Sequence, residues 1–157
     1  MMTTSIADLL LGHPVLAGLP ADIVAEVAGC ARNMAFPSGD LLLAEGGAAH
    51  IWYLVRRGRV AIEVHAPGRG PIPIETVGPG AVVGWSWLFP PYRWHFDARA
   101  IEDVGAVALD GACLRAKAER DPALGYALVS RVAAVLLERL QATRVRLLDL
   151  YGNDRGC

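Results

Sequence analysis

Between Asn33 and Asp110, β-prone runs are short, and glycine or proline breaks each one before it can lengthen. The breaks are Pro37-Ser38-Gly39-Asp40, Gly46-Gly47, Arg57-Gly58, Ala66-Pro67-Gly68 through Gly70-Pro71, and Gly78-Pro79-Gly80. Short strands joined by frequent turns predict a sandwich or a roll. Within the block, Ile51 to Val55 and Val60 to Val64 flank the segment Arg56 to Arg59. Gly58 adopts a positive φ at little cost, so this stretch predicts a hairpin.

The flanks carry a different period. From Ser5 to Arg32, Leu9, Leu10, Val15, Leu16, Leu19, Ile23, Val24 and Val27 recur at helical spacing, interrupted at His13-Pro14 and Leu19-Pro20, which predicts short helices. After Asp110 a short helix is expected near Ala112 to Ala118. A long one follows from about Pro122 to Leu150, since proline is tolerated in a first helical turn. On the long helix, Val129, Ala133, Leu136, Leu140, Thr143, Leu147 and Leu150 form a heptad seam that calls for a partner helix, hence a homodimer. Thr143 is the polar residue of that seam and could fix its register. A second row, Leu128, Val132 and Val135, is placed to pack on the β-block; the alternative is that both rows form one intramolecular core face.

The chain has 157 residues and is 54% hydrophobic, enough for one compact core, so a single domain is expected over residues 1–157: helices over about 5–32, a β-roll over 33–110, and helices over 112–150. Fifteen Lys and Arg against sixteen Asp and Glu leave a net charge of −1, which offers little attraction to nucleic acid or to an anionic membrane. No apolar stretch approaches the roughly 20 residues of a membrane-spanning helix. Residues Met1 to Leu11 lack the basic run and cleavage pattern of a secretion signal, so a cytoplasmic location is expected. Cys30, Cys113 and Cys157 are odd in number and far apart, which predicts reduced thiols rather than a disulfide framework or a zinc knuckle. His13, His50, His65 and His95 show no compact ligand spacing, and no metal is expected. No nucleophile elbow, phosphate loop, zinc signature or convincing carboxylate pair is present; Glu102-Asp103 reads as a turn, and no catalysis is expected.

Three strings in order carry a resemblance: Pro37-Ser38-Gly39-Asp40 with Leu41 to Gly46; Trp52-Tyr53-Leu54-Val55-Arg56-Arg57-Gly58-Arg59-Val60; and Val77-Gly78-Pro79-Gly80 to Gly84. Together with Glu138-Arg139-Leu140-Gln141-Ala142-Thr143-Arg144 on the terminal helix, they resemble the cyclic nucleotide-binding effector domain of the Crp/Fnr superfamily. The resemblance implies a mainly β fold with flanking helices: a double-stranded β-helix, or jelly-roll β-roll, with short N-terminal helices and a long C-terminal dimerisation helix. It further implies an effector bound inside the roll and read out through the dimer helix, where Arg139 and Thr143 would face the ligand. Only Tyr151 to Cys157 follow that helix, so a stand-alone regulatory domain without a helix-turn-helix module is expected.

The phosphate-binding cassette departs from the family pattern. Aligned on Gly84 and Leu88-Phe89, the ribose-binding glutamate is replaced by Trp85, and the glycine expected after Ser86 is Trp87. Counting back from Ala98-Arg99-Ala100, the phosphate-binding Arg-Ser pair falls on Trp94-His95; Arg93, one position away, would need a loop shift to substitute. Each lost anchor costs on the order of 1.5–3 kcal/mol, which disfavours cyclic AMP. Trp85, Trp87, Phe89, Tyr92, Trp94 and Phe96 supply aromatic surface instead. Two outcomes follow: a reshaped pocket for a flat or apolar effector, with His95 or Arg139 supplying polarity, or a roll filled by its own indoles that acts as a scaffold for a protein partner. Candidate contacts are Gly84, Trp85, Ser86, Trp94, His95, Arg139 and Thr143. His95, Asp97 and Arg99 share one strand face and could form a polar relay, or simply face solvent. An ordinary cyclic AMP or cyclic GMP sensor and a haem sensor are the remaining alternatives; no cofactor is expected.

Overall fold

A computed structural model describes residues 4–154. Helix α1 (Ile6–Leu11) opens with a capping box: the Ser5 hydroxyl accepts from the Asp8 N–H, and the Asp8 carboxylate accepts from the Ser5 N–H. A 3-10 turn (Pro14–Leu16) and α2 (Ala21–Ala28) follow, each starting at a proline interruption. Eight strands come next: β1 (Ala31–Phe36), β2 (Leu41–Leu43), β3 (Ile51–Arg57), β4 (Val60–Ala66), β5 (Gly70–Val77), β6 (Val82–Val83), β7 (Asp97–Ala100) and β8 (Val104–Asp110). A 3-10 turn (Ser86–Leu88) lies between β6 and β7, and α3 (Gly111–Arg120) and α4 (Pro122–Asp154) close the described chain. Asp110 caps α3 and Asp121 caps α4, with Pro122 in the first turn.

The strands form two antiparallel sheets, β1-β8-β3-β6 and β2-β7-β4-β5, which face each other as a jelly roll. β3 and β4 lie in different sheets and do not pair, which corrects the hairpin expected around Gly58. The chain there turns a corner: Gly58 has φ +80° and its Cα faces the Asp103 carbonyl so closely that a Cβ would collide with that backbone. The long hairpin is β4–β5, paired from Val60↔Val77 to Ala66↔Gly70.

Burial along β3 explains the misreading. Trp52 and Leu54 point to the helices, whereas Tyr53 and Val55 point between the sheets, and all four are buried. β8 divides the same way, with Val107 and Leu109 on the helix side and Ala106 and Ala108 on the inner side. A strand buried on both faces reads as one apolar run and gives no clue to its partner. The second sheet is covered on one face only, and its outer face carries Glu63, His65, Asp97 and Arg99.

The two apolar rows of α4 differ in burial. Leu128 and Val132 are fully buried against the helix-side core, and Val135 packs partly against it. Val129, Leu140, Leu147 and Leu150 of the seam are about half to two-thirds exposed, Ala133 and Thr143 are exposed, and Leu136 is half-buried.

One cysteine expectation is overturned. Cys30 and Cys113 are joined in a disulfide, with Cα atoms 5.7 Å apart. The pairing of β1 with β8 (Ala31↔Leu109) and a hydrogen bond from the Asp110 N–H to the Cys30 carbonyl bring the two cysteines together across 83 residues. Cys157 lies outside the described residues. No described helix is long and apolar enough to cross a membrane.

Candidate functional site

The cassette starts where β6 ends. Gly84 has φ +88°, and the chain then enters the 3-10 turn Ser86–Leu88, closed by hydrogen bonds from the Leu88 N–H to the Trp85 carbonyl and from the Phe89 N–H to the Ser86 carbonyl. The three cassette tryptophans go to three different places. Trp94 points into the roll: a Cβ built on Gly84 would lie 2.5 and 2.6 Å from two of its ring carbons, and its ring also approaches Gly47. A glycine is therefore required at position 84 both by φ and by the indole above it. Trp87 is fully buried on the other side, in the helix-side core, with its ring 5.4 Å from that of Trp52. It does not line the roll, so Trp87 is not part of the aromatic surface expected to reshape or fill the pocket. Trp85 is half-buried beside Phe96, with ring centroids 6.0 Å apart.

Trp85 and Phe96 form one wall of a cavity of about 310 Å³ under α4. Ile62, Ile74, Leu136 and Leu140 supply further apolar surface, and Gly84, Arg139 and Thr143 complete the lining with Glu75. Four of the seven candidate contacts, Gly84, Trp85, Arg139 and Thr143, are thus brought together. Trp94 packs against Gly84 but does not line the cavity. Ser86 is buried and His95 is exposed, and neither lines the cavity; His95 projects from the segment before β7 and cannot supply polarity there. Arg93 is also exposed, its backbone bridged to Ala48, so its guanidinium does not replace the missing phosphate arginine.

The cavity's charge is already balanced. The Arg139 guanidinium lies 2.7 Å from the Glu75 carboxylate and donates to the Val82 carbonyl at 3.0 Å, both side chains being largely shielded from solvent. The Thr143 hydroxyl donates to the Arg139 carbonyl one turn back, at 2.8 Å. Glu75 escaped the sequence reading because it sits on β5, remote in sequence from both α4 and the cassette, in a strand whose pattern is broken by prolines.

His95, Asp97 and Arg99 form no relay, and Asp97 does not face solvent either. Asp97 pairs with His65 at 2.6 Å and accepts from the Glu45 N–H at 2.7 Å, while Arg99 pairs with Glu63 at 3.2 Å and donates to the Gly39 carbonyl. Burial works to raise the Asp97 pKa, but the Glu45 N–H and the His65 ring outweigh it and hold the carboxyl below its ordinary range. The Asp97 hydrogen bond raises the His65 pKa in return. Among the described residues, no group of three or more His, Cys, Asp or Glu side chains is arranged to hold a metal ion.

Comparisons with known proteins agree with this architecture. Residues 33–121 match the model of the cyclic nucleotide-binding domain. A CRP-like cAMP-activated global transcriptional regulator of Mycobacterium tuberculosis is 26% identical over 147 residues, covering 94% of this chain and 64% of that protein, so the chain spans less than two-thirds of this relative. Among solved structures, a candidate cyclic nucleotide-binding protein from Geobacter metallireducens superposes with a TM-score of 0.76 at 30% identity, covering 89% of this chain and 99% of that one. The Thermus thermophilus catabolite activator protein superposes with a TM-score of 0.68 at 25% identity, over 88% of this chain and 63% of that one. On the extent of the family match and the jelly roll that carries it, the chain belongs to the cyclic nucleotide-binding domain family.

Proposed function

We propose that this chain is a non-catalytic regulatory domain, homodimeric through α4, whose diverged cassette does not take a cyclic nucleotide in the family's usual way. The observation that carries this reading is Trp94, an apolar indole seated against Gly84 at the position where the family resemblance expects the phosphate-binding arginine. Arg139, the remaining cation of the cavity, is already neutralised by Glu75, whose carboxylate would repel an incoming phosphate. With two anchors absent at about 1.5–3 kcal/mol each, affinity for cyclic AMP falls by about two to four orders of magnitude. The aromatic walls of Trp85 and Phe96 and the single ion pair suit a flat, weakly polar effector instead.

The exposed seam of α4 supports the dimer, because Val129, Leu140, Leu147 and Leu150 leave apolar side chains in water at heptad spacing. The net charge of −1 gives little attraction to nucleic acid or an anionic membrane surface, which favours a protein partner. Tryptophan fluorescence titration with cyclic AMP and cyclic GMP, checked by calorimetry, tests the central claim. No saturable response is expected up to millimolar nucleotide. Saturable micromolar binding would overturn the reading in favour of an ordinary nucleotide sensor, the second reading, which the name of the Mycobacterium tuberculosis relative favours.

A further inference from the structure

The Cys30–Cys113 disulfide lies at a mechanical junction. Cys30 sits between α2 and β1, and Cys113 lies in the first turn of α3, directly after β8. The same helix braces the cassette from behind. The Arg115 guanidinium donates to the Trp87 carbonyl and lies 4.1 Å from the centre of the Tyr92 ring. At the start of α3, Gly111 donates to the His50 carbonyl, and a Cβ on it would come within 2.9 Å of the Trp87 Cβ. One helical turn thus connects the sulfurs to both ends of the segment 87–92.

The bond is also approachable. A concavity of about 530 Å³ is lined by Cys30, Cys113, Arg32, His50 and Asp110. Cys30 is buried and Cys113 is half-buried, so Cys113 is the more exposed partner of the bond. Arg32 in the same concavity favours the thiolate that attack releases. A domain of this size, with one core between its sheets and another under its helices, has apolar burial enough to fold without a covalent staple.

We propose that Cys30–Cys113 is a reversible redox site, opened by a dithiol reductant, whose state sets how firmly α3 holds the cassette. A thiolate of the reductant attacks the Cys113 sulfur and expels the Cys30 thiolate. The second thiol of the reductant then resolves the mixed disulfide. Two electrons and two protons pass to the protein, which gains two thiols, and the reductant leaves as its own disulfide. The site is independent of what the cavity under α4 binds.

The test uses the full chain, oxidised with diamide or reduced with dithiothreitol under native conditions, with Cys30 and Cys113 alkylated and read by mass spectrometry. Reversible opening is expected in the folded protein. Amide exchange over residues 85–92 should be at least about tenfold faster in the reduced form, while β4 and β5 keep their protection. Cys113→Ser should match the reduced chain whether or not oxidant is present; if that variant does not fold, reduced wild type against oxidised wild type decides. Failure to form the bond, failure of dithiothreitol to open it without unfolding the chain, or equal exchange over 85–92 in the two states would each overturn the proposal. Global unfolding on reduction would also overturn it, because the bond would then be a structural staple.

Discussion

His13 is buried and uses both ring nitrogens: Nε2 donates to the Val55 carbonyl at 3.1 Å, and Nδ1 accepts from the Val15 N–H at 3.3 Å. Burial lowers its pKa from 6.5 against the opposing pull of the Val55 and Ala81 backbone. The unfolded chain therefore binds a proton here that the folded chain refuses, and stability contributed by neutral His13 is lost as pH falls below about 6.5. His65 has the opposite sign: its raised pKa gives stability below 6.5 that is lost as pH rises through the folded value. Urea unfolding at pH 7.5 and 5.5 should show that acidification costs less stability in His13→Gln than in wild type, and costs more in His65→Gln, because His65 gains stability over the same interval and offsets the His13 loss. Trp87 allows a second residue-level test. Its indole N–H is buried without an acceptor, as is that of Trp52, so Trp87→Phe removes an unsatisfied donor along with some packing. Trp87→Ala should cost about 3–5 kcal/mol and Trp87→Phe clearly less, as measured by denaturant midpoints. Equal losses would mean that the N–H has a partner in solution.

Among the elements, the corner between β3 and β4 shows what a sequence can and cannot reveal. The run from Ile51 to Val64 with Gly58 at its centre has the pattern of a hairpin, and both strands are present, yet they belong to opposing sheets. Local pattern gives the strands and the turn; which sheet each strand joins depends on β8 and β7, strands that come much later in the chain. The helices were more legible, because proline interruptions and the 3.6-residue period act within one element: Leu128 and Val132 are buried, as the second row predicts, while the seam residues are exposed except for Leu136, which packs against the same core. The cavity was legible on α4 and at Gly84-Trp85, where the family resemblance supplied positions, and illegible at Glu75, which meets Arg139 only through tertiary packing. Gly58→Ala tests the corner. With φ +80° and the Asp103 carbonyl blocking a Cβ, this one methyl should lower stability by about 1–3 kcal/mol. A midpoint unchanged from wild type would show that the corner can open.

At the scale of the molecule, the helices, the first sheet and the second sheet form three layers, and α4 also reaches the second sheet, where Arg139 meets Glu75 and Arg146 meets the Ile74 carbonyl. Its exposed stripe makes assembly measurable: Leu140→Glu with Leu147→Glu should convert a dimer to a monomer by analytical ultracentrifugation while the far-ultraviolet spectrum is retained. A wild-type monomer at tens of micromolar would remove the dimer from the proposal. The disulfide has a topological consequence as well. All eight strands lie between or directly beside Cys30 and Cys113, so the oxidised roll is a covalent ring with two tails, one leading into α2 and the other along α3. Closing a loop across 83 residues restricts the denatured chain by about 4–5 kcal/mol in the chain-entropy view. A single proteolytic cut at the exposed tip of the β4–β5 hairpin would open the ring without releasing a fragment, and only a reductant would then let the two halves part.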